Sequence, residues 1–260
     1  MEKAHPLASP MFVRSLDANK DPFRPPENGE KIVGPEVPYL NVIGALSYLS
    51  NCTRPDISFY VNLLARYNSC PTRRHWNGVK HIFRYLWGTT DMRLFYSTKS
   101  KSSLVGYADA GYLFDPHKAK SQRGFVFTRG DTAISWKSVK QSLTATSSNH
   151  SEIIAMHETS RECMWLRSMT QHIQESCGFP IAKDSPTVIF EDNTACIAQI
   201  KEGYIKGDRT KHISPNFFYT HELQENGDID IHQIRSSDNV FPLGFTDKVL
   251  TRKHLNSRIS

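Results

Sequence analysis

No stretch of roughly 18 consecutive apolar residues occurs in the chain, so no membrane-spanning helix is expected. The N-terminus lacks a positively charged segment followed by an apolar core, which speaks against a secretory signal. Cysteine is sparse as well. The five residues Cys52, Cys70, Cys163, Cys177 and Cys196 include no Cys-x-x-Cys pair, and an odd number argues against a closed disulfide framework. Together these absences predict an intracellular protein, cytoplasmic or nuclear, that is neither secreted nor membrane-bound. Internal repeats and low-complexity tracts are missing too. What is present is core material: 38% of residues are hydrophobic and 22% charged, a balance that excludes general disorder. A chain of 260 residues exceeds the roughly 100 to 200 typical of one domain, and two units are the simpler expectation. The net charge of +6 favours a polyanionic partner, since phosphates gain from neutralisation by Lys and Arg.

Residues 1–38 hold Pro6, Pro10, Pro22, Pro25, Pro26, Pro35 and Pro38 among charged residues without periodicity, which reads as an extended arm. A small, mainly helical segment follows over 39–100: the apolar run from Tyr39 to Leu49, the turn Thr53-Arg54-Pro55-Asp56, and a helical stretch from Ile57 to Tyr67. Between His75 and Trp87, Trp76, Val79, Phe83 and Leu86 recur at helical spacing, with Lys80, His81 and Arg84 as a basic flank. From Ser103 the pattern turns to short strands at Leu104 to Ala108, Gly124 to Thr128 and Ala133 to Trp136. A helix from about Ser148 to Ile173, a strand from Thr187 to Phe190, two further helices and a strand from Ile229 to Ile234 complete the order β-β-β-α-β-α-α-β. The fold class expected is α/β: a mixed sheet of three antiparallel strands with parallel additions, flanked by helices. This unit spans 101–240, leaving 241–260 as an aberrant tail.

Two of the expected strands run into acidic residues, Asp109 after Ala108 and Glu191-Asp192 after Phe190. If the two strands are parallel neighbours, Asp109 and Asp192 meet at one sheet edge, where open α/β sheets gather ligands. On the long helix, Glu152 shares one face with Ala155, Met156, Thr159, Cys163 and Leu166. A carboxylate on an apolar stripe is costly unless it is paired, bound to metal or close to solvent. Hard oxygen donors from several elements suit Mg2+ or Mn2+, and two such ions can activate water and stabilise a leaving oxygen in phosphodiester cleavage. Each residue also has an ordinary reading: Asp192 as a helix N-cap, Asp109 as a strand end, Glu152 as half of an ion pair.

Six words follow in order around these carboxylates: Gly106-Tyr107-Ala108-Asp109-Ala110, Ser121-Gln122-Arg123-Gly124-Phe125-Val126-Phe127, Ile134-Ser135-Trp136-Lys137-Ser138, Ser147-Ser148 through Ser151-Glu152-Ile153-Ile154-Ala155, Glu191-Asp192-Asn193, and Arg209-Thr210-Lys211-His212-Ile213. Together they closely resemble the ribonuclease H domain of copia-type LTR retrotransposon Pol polyproteins. Upstream, Thr53-Arg54-Pro55-Asp56-Ile57 and His75-Trp76 through Trp87-Gly88-Thr89 resemble the segment after the polymerase palm of the same polyproteins. The resemblance covers roughly residues 8 to 240. It implies a hydrolase that cuts the RNA strand of RNA:DNA hybrids, with Asp109, Glu152 and Asp192 as catalytic, metal-binding carboxylates for Mg2+ or Mn2+. Lys118, Lys120, Arg123, Arg209 and Lys211 are the candidate phosphate contacts, and other retroelement proteins are the candidate partners.

Two departures qualify that expectation. No Tyr-x-Asp-Asp word is present, so polymerase activity is not expected. Past Ser237-Asp238-Asn239 the family continues with an Ala-Asp pair on a helix, whereas this chain reads Val240-Phe241-Pro242-Leu243-Gly244, with Pro242 at the place of the fourth carboxylate. Proline and glycine also oppose the helix that would present it, as a decayed reading frame would produce. Impaired turnover is the expectation, with an inactive nucleic-acid-binding remnant as the alternative. Asp238 and Asp247 receive no role, and His212 is read as structural.

Overall fold

The computed structural model describes residues 5–11, 17–96, 103–130, 132–179, 185–203 and 214–239. Its first half is helical. Helix α1 (Tyr39–Cys52), a short 3-10 turn (Pro55–Ile57), α2 (Ser58–Ala65) and α3 (Arg73–Gly88) close on one apolar cluster of Ile43, Leu46, Ile57, Val61, Leu64, Val79, Ile82 and Tyr85. The proline-rich segment is more than an extended arm. Met11 and Phe23 are buried in the same cluster, and seating a phenylalanine this way is worth about 1.5 to 3 kcal/mol. The buried face of α3 is rotated from the one read in the sequence. His75, Gly78, Val79, His81, Ile82 and Tyr85 point inward, while Trp76, Phe83 and Leu86 are only partly buried and Lys80 lies over the Trp76 ring. Histidine joins the core because its ring nitrogens find partners: His75 Nδ1 accepts the Thr72 N–H at 3.0 Å, and Nε2 meets the Arg24 carbonyl at 3.2 Å.

The second half is a five-stranded mixed sheet in the order β3-β2-β1-β4-β5. Strands β1 (Leu104–Asp115), β2 (Lys120–Arg129) and β3 (Thr132–Lys140) form an antiparallel meander. Helix α4 (Ser148–Cys177) then crosses the sheet, β4 (Thr187–Glu191) adds parallel to β1, helices α5 (Thr194–Glu202) and α6 (Ser214–Glu225) follow, and β5 (Ile229–Gln233) adds parallel to β4. This is the α/β mixed sheet that the sequence pattern predicts, element for element.

The ends of α4 follow from its sequence. The Ser147 hydroxyl accepts the His150 N–H at its start, and Gly178 at φ 68° closes it in a left-handed turn that glycine adopts without strain. One face of α4 lays Ile153, Ile154, Met156 and Cys163 against Ala108, Phe125, Phe127 and Ile189 of the sheet. Gly106 lets this layer close: a Cβ there would meet the Phe127 ring at 2.7 Å. The two halves are joined by polar contacts as well as packing. Trp136 Nε1 donates to the Ser50 carbonyl at 2.7 Å, Arg66 donates to Gln122 at 2.6 Å, and the rings of Phe59 and Phe114 meet edge-on at 5.1 Å.

Candidate metal centre

The position of the acidic residues follows from the register. Parallel pairing of β1 with β4 runs through Val105 with Val188, Gly106 with Ile189 and Tyr107 with Phe190. Asp109 and Asp192 therefore stand two residues beyond the last pair on adjacent strands, at the carboxyl end of the parallel ladder. Asp109 is not a strand terminus, because β1 continues against β2 with Asp109 opposite Gly124 and Ala110 opposite Arg123. Asp192 is not the N-cap of α5 either. Asn193 takes that role, its side chain accepting the Cys196 N–H at 3.1 Å. Glu152, near the start of α4, is only 6% exposed.

Each of Asp109, Glu152 and Asp192 presents an oxygen, and the three oxygens lie within 4.8 Å of one another. Among the described residues no basic side chain forms an ion pair with Glu152, and its Oε2 is buried without a hydrogen-bond partner. Burial above all, then the neighbouring charges of Glu191, Asp109 and Asp192, push the Glu152 carboxyl well above its ordinary value. Like charges this close are held together only by protonation or by a cation. Three hard carboxylate oxygens, with Oε2 of Glu152 left unpaired among the described residues, fit a divalent ion with water completing its shell.

A fourth acid was not singled out in the sequence. Glu191 is fully buried, and its carboxyl is likewise raised well above the ordinary range, by burial first and then by the charges of Asp109 and Asp192. Strand alternation was the available signal: Thr187, Ile189 and Glu191 share the core-facing parity of β4. Beneath the acids lies Cys196, fully buried at the first turn of α5, its thiol raised by burial and by Glu191, Glu152 and Asp192.

The candidate phosphate contacts fare differently. Lys118 is exposed. Lys120 Nζ donates to the Ser142 carbonyl and to Thr144 Oγ1, each at 2.7 Å. Arg123 faces α4, as Ala110 opposite it does, and its Nη2 meets Glu158 Oε2 at 3.3 Å with both side chains largely buried. Arg209, Lys211, His212, Pro242 and Asp247 lie outside the described residues. Asp238 is exposed, whereas Asn239 is buried and its Nδ2 donates to the Ala108 carbonyl at 3.0 Å, directly beside Asp109. All five cysteines are unpaired thiols.

A meander of three strands extended by two parallel ones, in the order β3-β2-β1-β4-β5 with a long helix across it and acids at the parallel ladder's carboxyl end, defines a ribonuclease H-like domain. No family model matches the chain. The Retrovirus-related Pol polyprotein from transposon TNT 1-94 of Nicotiana tabacum is 32% identical over 253 residues, which cover 97% of this chain and 18% of that protein. The corresponding polyprotein from transposon RE2 of Arabidopsis thaliana is 30% identical over 92% of this chain and 15% of its own length. The chain belongs to this family of copia-type retrotransposon Pol polyproteins, and it spans less than a fifth of the length of either relative. The Secreted RxLR effector protein 161 of Plasmopara viticola is 36% identical over 52% of this chain and 95% of its own length. Among solved structures, LC11-RNase H1 in complex with an RNA/DNA hybrid is 15% identical over 53% of this chain and 88% of its own, with a TM-score of 0.38. The N-terminal RNase H domain of rv2228c from Mycobacterium tuberculosis gives 11% identity and the same TM-score of 0.38 over 53% of this chain and 86% of its own. The fold assignment stands on the strand order itself.

Proposed function

We propose that this chain carries a retroelement ribonuclease H that hydrolyses the RNA strand of RNA:DNA hybrids, with Asp109, Glu152 and Asp192 holding Mg2+ or Mn2+. The observation that supports this most is the meeting of three carboxylates from β1, α4 and the end of β4, with a buried orphan oxygen on Glu152. Bound there, divalent ions would supply a polarised water and charge neutralisation for the phosphodiester. The protein's own part is to hold three hard donors on rigid elements and to bury Glu152 among other acids, its Oε2 unpaired among the described residues. RNA:DNA hybrid is the proposed partner, with other retroelement proteins beside it, in an intracellular setting. Residues 39–100 are proposed as a connection-like helical unit and 101–240 as the nuclease unit.

Reduced turnover is part of the proposal, because the sequence carries Pro242 at the place of the family's fourth carboxylate; among the described residues after β5, Asn239 sets its amide beside Ala108. Cleavage of a labelled hybrid with Mg2+ tests the reading, comparing this chain with Asp109→Asn. Activity in the parent that vanishes in the variant is expected; no cleavage by either, or equal cleavage by both, overturns it. The inert binding remnant is the second reading. It draws on the same Pro242, and it predicts hybrid binding that falls steeply with salt and no cut.

A further inference from the structure

Glu191 ends β4 on the parity of Thr187 and Ile189, fully buried, one residue before Asp192. Its Oε1 accepts the backbone N–H of Asn193 at 3.1 Å, while Oε2 is buried with no hydrogen-bond partner among the described residues. Asn193 is itself fixed: its side chain accepts the Cys196 N–H, and its carbonyl accepts the Ile197 N–H, each at 3.1 Å. On the strand side, the Glu191 carbonyl accepts the Ile234 N–H at 2.9 Å, tying the same residue to the chain leaving β5. Asp192 therefore sits between two anchored residues, inside a brace closed by the Glu191 carboxyl.

The brace has an energetic oddity. A turn of this kind needs only an acceptor for one N–H, and asparagine, serine or threonine supplies one without charge. Here the acceptor is a carboxyl buried beside Glu152, Asp109 and Asp192, where desolvation and like charges both oppose it. An apolar residue at 191 would relieve that cost and leave the Asn193 N–H unclaimed, so that the Asp192 turn would be held on one side only.

We propose that Glu191 is a positioning residue of the metal centre: by gripping the Asn193 N–H it fixes the turn between β4 and α5 and so aims Asp192 at Asp109 and Glu152. This rests on reading the trio as a metal site. Groups standing behind ligands in this way characteristically change metal affinity by about 10- to 100-fold when removed.

The test is Mn2+ binding to the full chain by isothermal titration calorimetry, for the parent, Glu191→Leu, Glu191→Gln and Asp109→Asn, with metal-free thermal melts of each. Glu191→Leu is expected to bind Mn2+ at least about tenfold more weakly while melting no lower than the parent without metal. Glu191→Gln keeps the Oε1 acceptor and is expected to stay within about twofold of the parent, since Oε2 has no partner to lose. Parental affinity in Glu191→Leu, or equal weakening in Glu191→Gln, overturns the positioning role. Parental affinity in Asp109→Asn instead overturns the metal reading itself, and the proposal with it. If Glu191→Leu fails to fold by far-UV circular dichroism, Glu191→Ala carries the same comparison.

Discussion

In the helical half, Asp56 is buried with its carboxylate fully enclosed, yet Arg54 grips it through Nε at 3.0 Å and Nη2 at 2.7 Å, and the Tyr85 hydroxyl donates at 2.7 Å. Arg54 is anchored in turn on Thr89, through its carbonyl at 3.2 Å and its hydroxyl at 2.7 Å. Glu152 and Glu191 in the sheet half are buried as deeply, but their neighbours are other acids. The same residue chemistry thus occurs in two electrostatic settings. A buried carboxylate with its own guanidinium closes a structural contact, because the charge is balanced inside the protein. Carboxylates clustered without a cation leave a deficit that only a proton or a bound ion removes, which is how a site differs from a strut.

The contrast can be broken most severely at the site. Asp192→Asn is expected to lower single-turnover hybrid cleavage at least about a hundredfold, since metal-held charge stabilisation is worth several kcal/mol. Its metal-free stability should stay close to the parent's in urea unfolding, because no balancing partner is lost.

Arg54→Ala inverts that outcome. It strands Asp56 in the interior and is expected to cost about 3 to 5 kcal/mol in the same unfolding experiment, beyond any direct effect on metal binding.

Acid sharpens the comparison through opposite signs. Glu152 and Glu191 have folded values raised above the ordinary 4.5, so their contribution to stability is complete below 4.5 and is lost as pH rises through the raised values. His75 is pushed down from 6.5 to about 4, by burial first and then by Arg74, so its contribution is present above 6.5 and is lost as pH falls through about 4. Metal-free melting temperatures of Glu152→Gln should therefore lose the decline on the alkaline side, and those of His75→Gln the decline on the acid side. Unchanged slopes in both variants would remove the distinction.

The smallest effect is expected at the surface. Lys118→Gln should weaken hybrid binding for all sequences alike and lower the slope of log affinity against log salt by about 0.7 to 0.9, measured by fluorescence anisotropy. Arg123→Gln should not change that slope, because its guanidinium is turned to Glu158.

Much of this could be read in advance from local pattern. The turn from helical spacing to short strands after Ser103 marks where the sheet begins, and the apolar stripe of Ala155, Met156, Thr159, Cys163 and Leu166 places Glu152 on the inner face of α4, since both follow from the period of the backbone. On α3 the aromatic pattern leads only to the rim of the core, where Trp76, Phe83 and Leu86 pack, while His75 and His81 are buried on the strength of hydrogen bonds made 51 and 72 residues away along the chain. The sequence offers Arg123 as a phosphate contact; pairing with Ala110 across the ladder turns it to α4 and Glu158, which no local window reveals.

By itself the sequence determined the kinds and order of the elements and which carboxylates lie at their ends, because periodicity, capping and turn residues act over a few positions. Tertiary structure alone decided that β4 lies parallel against β1, bringing acids from positions 109, 152 and 192 within 4.8 Å, and that Arg54 balances Asp56 while nothing basic balances Glu152 among the described residues. Charge is written in the residue, but its compensation depends on what the fold sets beside it.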